Sequence, residues 1–566
     1  MSSMNNERRD AVEDVQSETI REELHSETAH TTQSTVVSSG KENHVNETPQ
    51  APQKAKVRRR MPTIKLRTVT SMLAVLGVGA ALGVGVLNAP EVKQQAKSIQ
   101  LVAPQGGTQA MACTDGLHPA ISGGTSIGNV DQQIAGWAGM MYQPNIDGDP
   151  IPALTWKSFG GESLGFTKNL LAQAQIPVNT LGVRALNGSV LVERTSEEIG
   201  DLMGSSMHRA NAGDLRGLAS NPCQWAQNSA WLVGSNTQIG TSNRLAIANP
   251  GTHPIQVNVE AYTSVGRAEL GANKYINVAP GSTKSLALDG IVPADPRIAL
   301  RLSTDSGKFV ASLQSLQLEG YKPKGVDFIK SGNSGRTVFI NGLYLPPGKS
   351  GPDVVADTRL SQQSDLVDPH VKGSIRVVNA EKSVRTVKIK TVGAHGEINT
   401  LPGGESVTIA PEATLDLTLD GMKAGDHSLI VEADGEISAG ARVAYVADSG
   451  ETDVSWLAPQ RPFNNGGAAV GFASGRLIIT ADSATTVTWT AYKEDGVRIS
   501  SADVEVSGVT PVGLPDGTAY VTLSSSDPVY ASVAASIDIN GAKGIDWIPI
   551  TSNTFDSSSV RVRVQN

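Results

Sequence analysis

A motif that returns at constant internal spacing constrains the fold of this chain more than any other feature. Ala279-Pro280-Gly281-Ser282-Thr283 leads into Leu286, Leu288, Asp289 and Gly290. Ala410-Pro411-Glu412-Ala413-Thr414 leads into Leu417, Leu419, Asp420 and Gly421 at the same steps. Such self-similarity means that one supersecondary unit is built more than once. A strand pair precedes each copy (residues 244–247 with 255–259, and 375–378 with 384–389), and a third copy pairs 477–479 with 487–492. Hairpins are expected next, turning at Asp305-Ser306-Gly307, at Asp434-Gly435 and near Asp527-Pro528, because Asp-Gly between β-rich runs supplies the positive φ of a tight turn. Each copy closes on Gly-x-Asp or a near relative, at Asp327, Asp453 and Asp546.

Glycine is plentiful at 58 residues and aromatics are scarce at 4%, which favours short strands and tight turns over long helices. The expected class is all-β: tandem immunoglobulin- or fibronectin-like β-sandwiches of about seven strands each. They occupy 225–335, 336–459 and 460–555, follow a divergent β unit at 89–224, and leave a tail at 556–566. Propeller blades of about 45 residues fit that period badly. Run in tandem, the sandwiches would make an elongated ectodomain.

Residues 69–87 form an uncharged apolar run, preceded by Lys54, Lys56, Arg58, Arg59, Arg60, Lys65 and Arg67. About 19 residues at about 1.5 Å each span roughly the 30 Å of a bilayer core. The basic flank stays inside. Residues 1–67 are therefore expected to be a disordered cytoplasmic tail with a basic juxtamembrane segment, 68–88 a single transmembrane helix, and the rest extracytoplasmic. Leu87-Asn88-Ala89 before Pro90 is a poor cleavage site, which speaks against a signal peptide. Gly79 and Gly83 form a Gly-x-x-x-Gly face suited to a homodimer. The net charge of −8 is spread along the chain and argues against a nucleic-acid partner.

Cys113 and Cys223, the only cysteines, fall in the exported part and are expected to form one disulfide. Closing that loop contributes roughly 4–5 kcal/mol in the chain-entropy model. Two Gly-x-Ser-x-Gly strings, around Ser126 and Ser163, lack the buried strand and following helix of a nucleophile elbow. Asn145, Asp147 and Asp149 begin like a calcium loop, but Pro150 stands where glycine is needed and Trp156 where a bidentate Glu is needed. His118, His208, His253, His370, His395 and His427 are never paired at ligand spacing. No catalytic residue, cofactor or metal site is expected. Asp327, Asp453 and Asp546 repeat, so they are read as bonding nearby backbone amides. Trp137, Trp156 and Trp489 are the candidate binding residues, as a sugar platform, whereas Trp231, Trp456 and Trp547 sit at unit boundaries and should fill seams.

Several of these features occur together: the basic leader and span, Cys113, Asp214-Leu215-Arg216-Gly217-Leu218 running into Pro222-Cys223, and Trp231-Leu232-Val233-Gly234 before Leu245-Ala246-Ile247-Ala248-Asn249-Pro250. Over about residues 55–555 the chain thus resembles an uncharacterised family of actinobacterial membrane-anchored envelope proteins, a domain-of-unknown-function family. The resemblance implies an envelope setting and carries over no catalytic residue or ligand. The expected function is a non-enzymatic, membrane-anchored scaffold or interaction protein, with wall polysaccharide or another envelope membrane protein as partner. The alternatives are a carbohydrate-binding accessory of cell-wall or surface-polysaccharide synthesis, and a degenerate serine hydrolase using Ser163.

Overall fold

The computed structural model describes residues 200–348 and 367–552 without a break, shorter stretches between 100 and 194, and the strand Val560–Val562. The expected tail and span at 1–88, with Gly79 and Gly83, lie outside the described residues, as do the Ser126 string and Asn145, Asp147 and Asp149. Among the described residues the structure is all-β, with one 3-10 turn at Gly271–Lys274, and no helix is long and apolar enough to cross a membrane.

The strands form four pairs of sheets with one recurring order. In the second pair, one sheet runs Ser229–Val233, Ala299–Ser303, Ile255–Thr263. Its partner runs Ser282–Ala287, Thr241–Asn249, Val310–Glu319, Lys322–Ile329. The first pair repeats this as Gln109–Cys113, Val190–Arg194, Leu154–Ser158 against Val178–Arg184, Gln133–Tyr142, Gly200–Ala210, Gly217–Pro222. Both sheets of a pair feed one core: Leu232, Val257 and Leu300 meet Leu245, Ile247 and Leu313 in the second.

The strands expected to pair with their sequence neighbours do not. Thr241–Asn249 and Ile255–Thr263 lie in opposite sheets, and Val371–Asn379 and Arg385–Val392 pair with different halves of Gly425–Val446. A buried asparagine at the end of the first strand turns the chain across. Asn249 donates through Nδ2 to the carbonyls of His253 (2.8 Å) and Val278 (3.1 Å), and its Oδ1 accepts from the Gly251 amide. Asn379 does the same with Ser383, Ala410 and the Glu381 amide. A side chain that satisfies both strand-end backbone and turn replaces the ladder bonds a hairpin would make.

The Asp434-Gly435 hairpin is also corrected. Gly435 lacks the positive φ such a turn requires, and Gly425–Val446 runs through it as one strand. Its first half pairs with Gly335–Leu345 and Arg385–Val392, and its second half with Val371–Asn379 and Thr452–Leu457. Tyr520–Ile539 likewise passes from sheet to sheet in the fourth pair. In the second pair the Asp305-Ser306-Gly307 segment carries the chain between sheets. The Ala-Pro turns do behave alike, since Gly281 and Glu412 adopt φ of 55° and 53° at equivalent places.

The four pairs are not strung out. Their last strands, Gly217–Pro222, Lys322–Ile329, Thr452–Leu457 and Ala542–Pro549, gather round one axis, each touching the next, and the fourth returns to the first. Trp456 enters the core of the second pair and Trp547 that of the third, while Trp231 packs with Tyr262 and Val378. These three tryptophans fill seams. The ring closes where Trp137, Met203 and Met207 of the first pair join the core of the fourth.

Candidate functional site

At the axis the last strands come too close for side chains on every one. Counted back from Phe328-Ile329, Trp456-Leu457 and Trp547-Ile548, one position holds Asp327, Ser455 and Asp546. Two residues earlier stand Gly325, Asp453 and Gly544. Asp453 is therefore not the counterpart of the other two aspartates. It occupies a glycine position and fills the space the glycines leave. A Cβ on Gly217 would lie 2.5 Å from Asp453 Oδ1.

The Asp453 carboxylate accepts amide hydrogens from Leu218 (3.0 Å), Ile545 (2.9 Å) and Val326 (3.5 Å), and also from Val454. One side chain thus binds an amide from each of the four pairs. Val454 is the nearby amide expected, whereas Leu218, Val326 and Ile545 are distant in sequence. Burial pushes its carboxyl well above the ordinary range, and the four amide donors oppose that shift.

One layer further along, Lys330 Nζ donates to Asp327 Oδ1 (2.8 Å) and Asp546 Oδ1 (2.7 Å), with all three side chains buried. The Trp456 amide donates to Asp327 Oδ2 at 2.6 Å. Burial would lower the Lys330 ammonium, but the two carboxylates outweigh it and hold it above its usual range. One ammonium cannot neutralise both acids. Burial accordingly raises Asp327 to about 7, with Lys330 pulling it down and Asp546 pushing it up. Asp546 Oδ2 is buried and has no hydrogen-bond partner.

That oxygen belongs to a residue lining a cleft of about 280 Å³ between the third and fourth pairs. Ser455, Ser474, Ser536, Tyr344, Tyr445 and Trp547 line it too, with Arg476 and Lys543. Its wall is braced by Asn341, which donates through Nδ2 to Ile478 O and Ser532 Oγ and accepts from Trp547 Nε1 on its carbonyl. Arg476 is already engaged, bonding Asp426 Oδ2 at 2.7 Å and stacking 4.6 Å over the Tyr344 ring. Lys543 is exposed. A mostly apolar cleft with a few convergent polar groups is what a small ligand needs.

The residues singled out from sequence fare differently. Trp137, Trp156 and Trp489 are 6%, 0% and 7% exposed, so they form no sugar platform. Trp137 packs edge-on against Phe472, Trp156 lies in the first core and Trp489 in the fourth. Cys113 and Cys223 are joined, with α-carbons 4.1 Å apart. Ser163 is an exposed residue of the strand Ser163–Phe166, not of a strand–turn–helix elbow. His208 is buried, and its Nε2 bonds the Leu215 carbonyl at 3.1 Å. Burial lowers it to about 4, against that hydrogen bond. Lys330, Arg476 and Lys543 went unnoticed. A lysine directly after Phe328-Ile329 at the end of an apolar strand was the available signal for the first. The other two sit in ordinary polar strand positions.

A family model described as a family of unknown function (DUF5719) matches residues 185–515. No curated protein matches the sequence. The crystal structure of Thermotoga maritima 1070 is 18% identical, covers 23% of this chain and 95% of its own, and has a TM-score of 0.17. The native conformation of E. coli alpha-2-macroglobulin is 10% identical over 80% of this chain and 30% of its own, with a TM-score of 0.11.

Proposed function

This chain belongs to that family of unknown function, and we propose that it is a non-enzymatic, membrane-anchored scaffold or interaction protein of the cell envelope, in an actinobacterial setting. In this reading residues 68–88 anchor it once, the N-terminus is cytoplasmic, and the ring lies outside. Its partner is wall polysaccharide or another envelope membrane protein, with homodimerisation through Gly79 and Gly83 as a further contact. The sheet pairs are read as tandem immunoglobulin-like sandwiches: with Ser163–Phe166 counted as the fourth strand of the first pair, the second lies beside the fifth and the third beside the sixth, as in that fold, but the last two lie beside the second.

The observation that carries the reading is the commitment of two of the repeated acidic residues, Asp453 and Asp327, to bonds between pairs. Such residues hold a platform together instead of meeting a substrate. The test uses the full chain in its native membrane. External protease should degrade the ring in intact cells, and the solubilised chain should sediment with isolated wall polysaccharide without releasing soluble fragments from it. Fragment release abolished by Ser163→Ala or by Asp546→Asn, in a variant that still folds, would overturn it.

A further inference from the structure

We propose that a basic pocket between the second and third sheet pairs binds a phosphate monoester, its phosphate gripped by Arg442 and faced by Lys372. The proposal adds a ligand site to the scaffold reading and does not depend on it. The pocket, of about 340 Å³, is lined by Gln317, Glu319 and Lys324 of the second pair and by Lys372, Arg442 and Thr452 of the third. Arg442 stands in Gly425–Val446 directly across from Ser374, and Lys372 precedes Ser374 by two residues on the same strand. Such diagonal neighbours share one face of a sheet at about 7–8 Å, within reach of long side chains. Both cations can therefore meet one anion.

The charges around this pocket do not balance from within. Glu319 is taken by Lys324 Nζ at 2.7 Å, and Lys324 also bonds the Gly450 carbonyl. Asp416, on the strand beside Val371–Asn379, is held by Arg376 through two bonds of 2.7 and 2.8 Å. Glu451 pairs with Arg216 at 3.3 Å. Arg442 makes no hydrogen bond or ion pair among the described residues, although it is half-buried and lines the pocket. Burial disfavours its charge, the Arg376 guanidinium adds to that, and Asp416 opposes them without making up the difference. A guanidinium desolvated without a partner costs free energy, which a bound anion would offset. Lys372 is exposed and shares a neighbouring hollow with Asp368 and Asp420, so Arg442 fixes the anion and Lys372 adds charge. Two cations in excess match the dianion of a phosphate monoester better than a single carboxylate. A guanidinium takes two phosphate oxygens at once, and Gln317 and Thr452 offer neutral donors beside it.

The experiment is calorimetric titration of the full chain, solubilised in a phosphate-free maltoside detergent, with methyl phosphate, inorganic phosphate and acetate. Methyl phosphate should bind saturably, and acetate about tenfold more weakly or less. Arg442→Gln should weaken methyl phosphate by about tenfold or more, the range of a bidentate charged pair, and Arg442→Lys should restore part of the loss. Lys372→Ala should weaken it by up to about fivefold, as an exposed charge does. Methyl phosphate should also raise the unfolding temperature of the native chain but not that of Arg442→Gln. Without ligand, Arg442→Gln should unfold no earlier than the native chain, because it loses an unpaired charge and no bond. Inorganic phosphate bound while methyl phosphate is excluded, no binding of either, or acetate bound equally well would each overturn the proposal. So would binding untouched by Arg442→Gln, or early unfolding of that variant in the absence of ligand.

Discussion

The axis and the cleft between the third and fourth pairs meet at Asp546 but differ in how their polar groups are bonded. At the axis its Oδ1 joins Lys330, and beside it Asp453 spends its carboxylate on amides of four sheet pairs. The other oxygen of the same carboxyl is buried without a hydrogen-bond partner. At the axis the Asp453 and Asp327 carboxylates are bonded by amides of other sheet pairs, so they specify how the ring closes. In the cleft Arg476 is held by Asp426, and Lys543 is exposed. A buried ion cluster is weak evidence for stability but good evidence for a defined arrangement, because any other closure would strand its charges.

The sharpest way to break this contrast is Asp453→Ala. Four amides would lose their acceptor at a dry centre, and the unfolding free energy should fall by about 3–5 kcal/mol. Denaturant titration checks it. A loss below about 1 kcal/mol would mean that the axis is not what holds the ring.

The pH dependence separates two buried groups. His208, lowered to about 4, contributes stability that is present above its unfolded value of 6.5 and lost as pH falls toward 4, in all about 3 kcal/mol. Asp327, raised to about 7, works in the other direction: its contribution is present below 3.8 and lost as pH rises toward 7. Between pH 4 and 6.5 the two slopes oppose. Burial raises Asp453 as well, so the unfolding free energy of the native chain should decline with rising pH there, and His208→Gln should steepen that decline. A variant whose stability still rises across that window would contradict the assignment of Asp327.

Gly325→Ala comes next. Its Cβ would lie 2.6 Å from Val454 Cγ2 at a φ of +123°, so a loss of about 2 kcal/mol is expected. Gly513, with open space around it, should tolerate alanine within about 0.5 kcal/mol. Equal costs at the two positions would show that the strands at the axis are not closely packed. The smallest effect belongs to the cleft: Lys543→Ala should leave thermal unfolding unchanged within about 0.5 kcal/mol. A larger loss would place Lys543 with the structural residues and erase the contrast.

By itself the sequence determined the all-β class, the recurrence of one unit, and the burial of Trp231, Trp456 and Trp547 between units. These follow from local chemistry: a composition rich in glycine and short β-prone runs, a motif repeated at constant spacing, and large apolar side chains at boundaries. Only the tertiary structure decided which sheet each strand joined, that Gly425–Val446 runs through Asp434-Gly435, and that Asp453 stands where its neighbours have glycine. It also decided the closed ring, the buried Lys330 and the cleft. Each depends on segments far apart along the chain, such as Leu218 against Asp453 and Lys330 against Asp546. Local pattern cannot set such contacts, because the amide that satisfies a buried carboxylate is chosen by the packing of whole sheets against one another, not by the residues on either side of it.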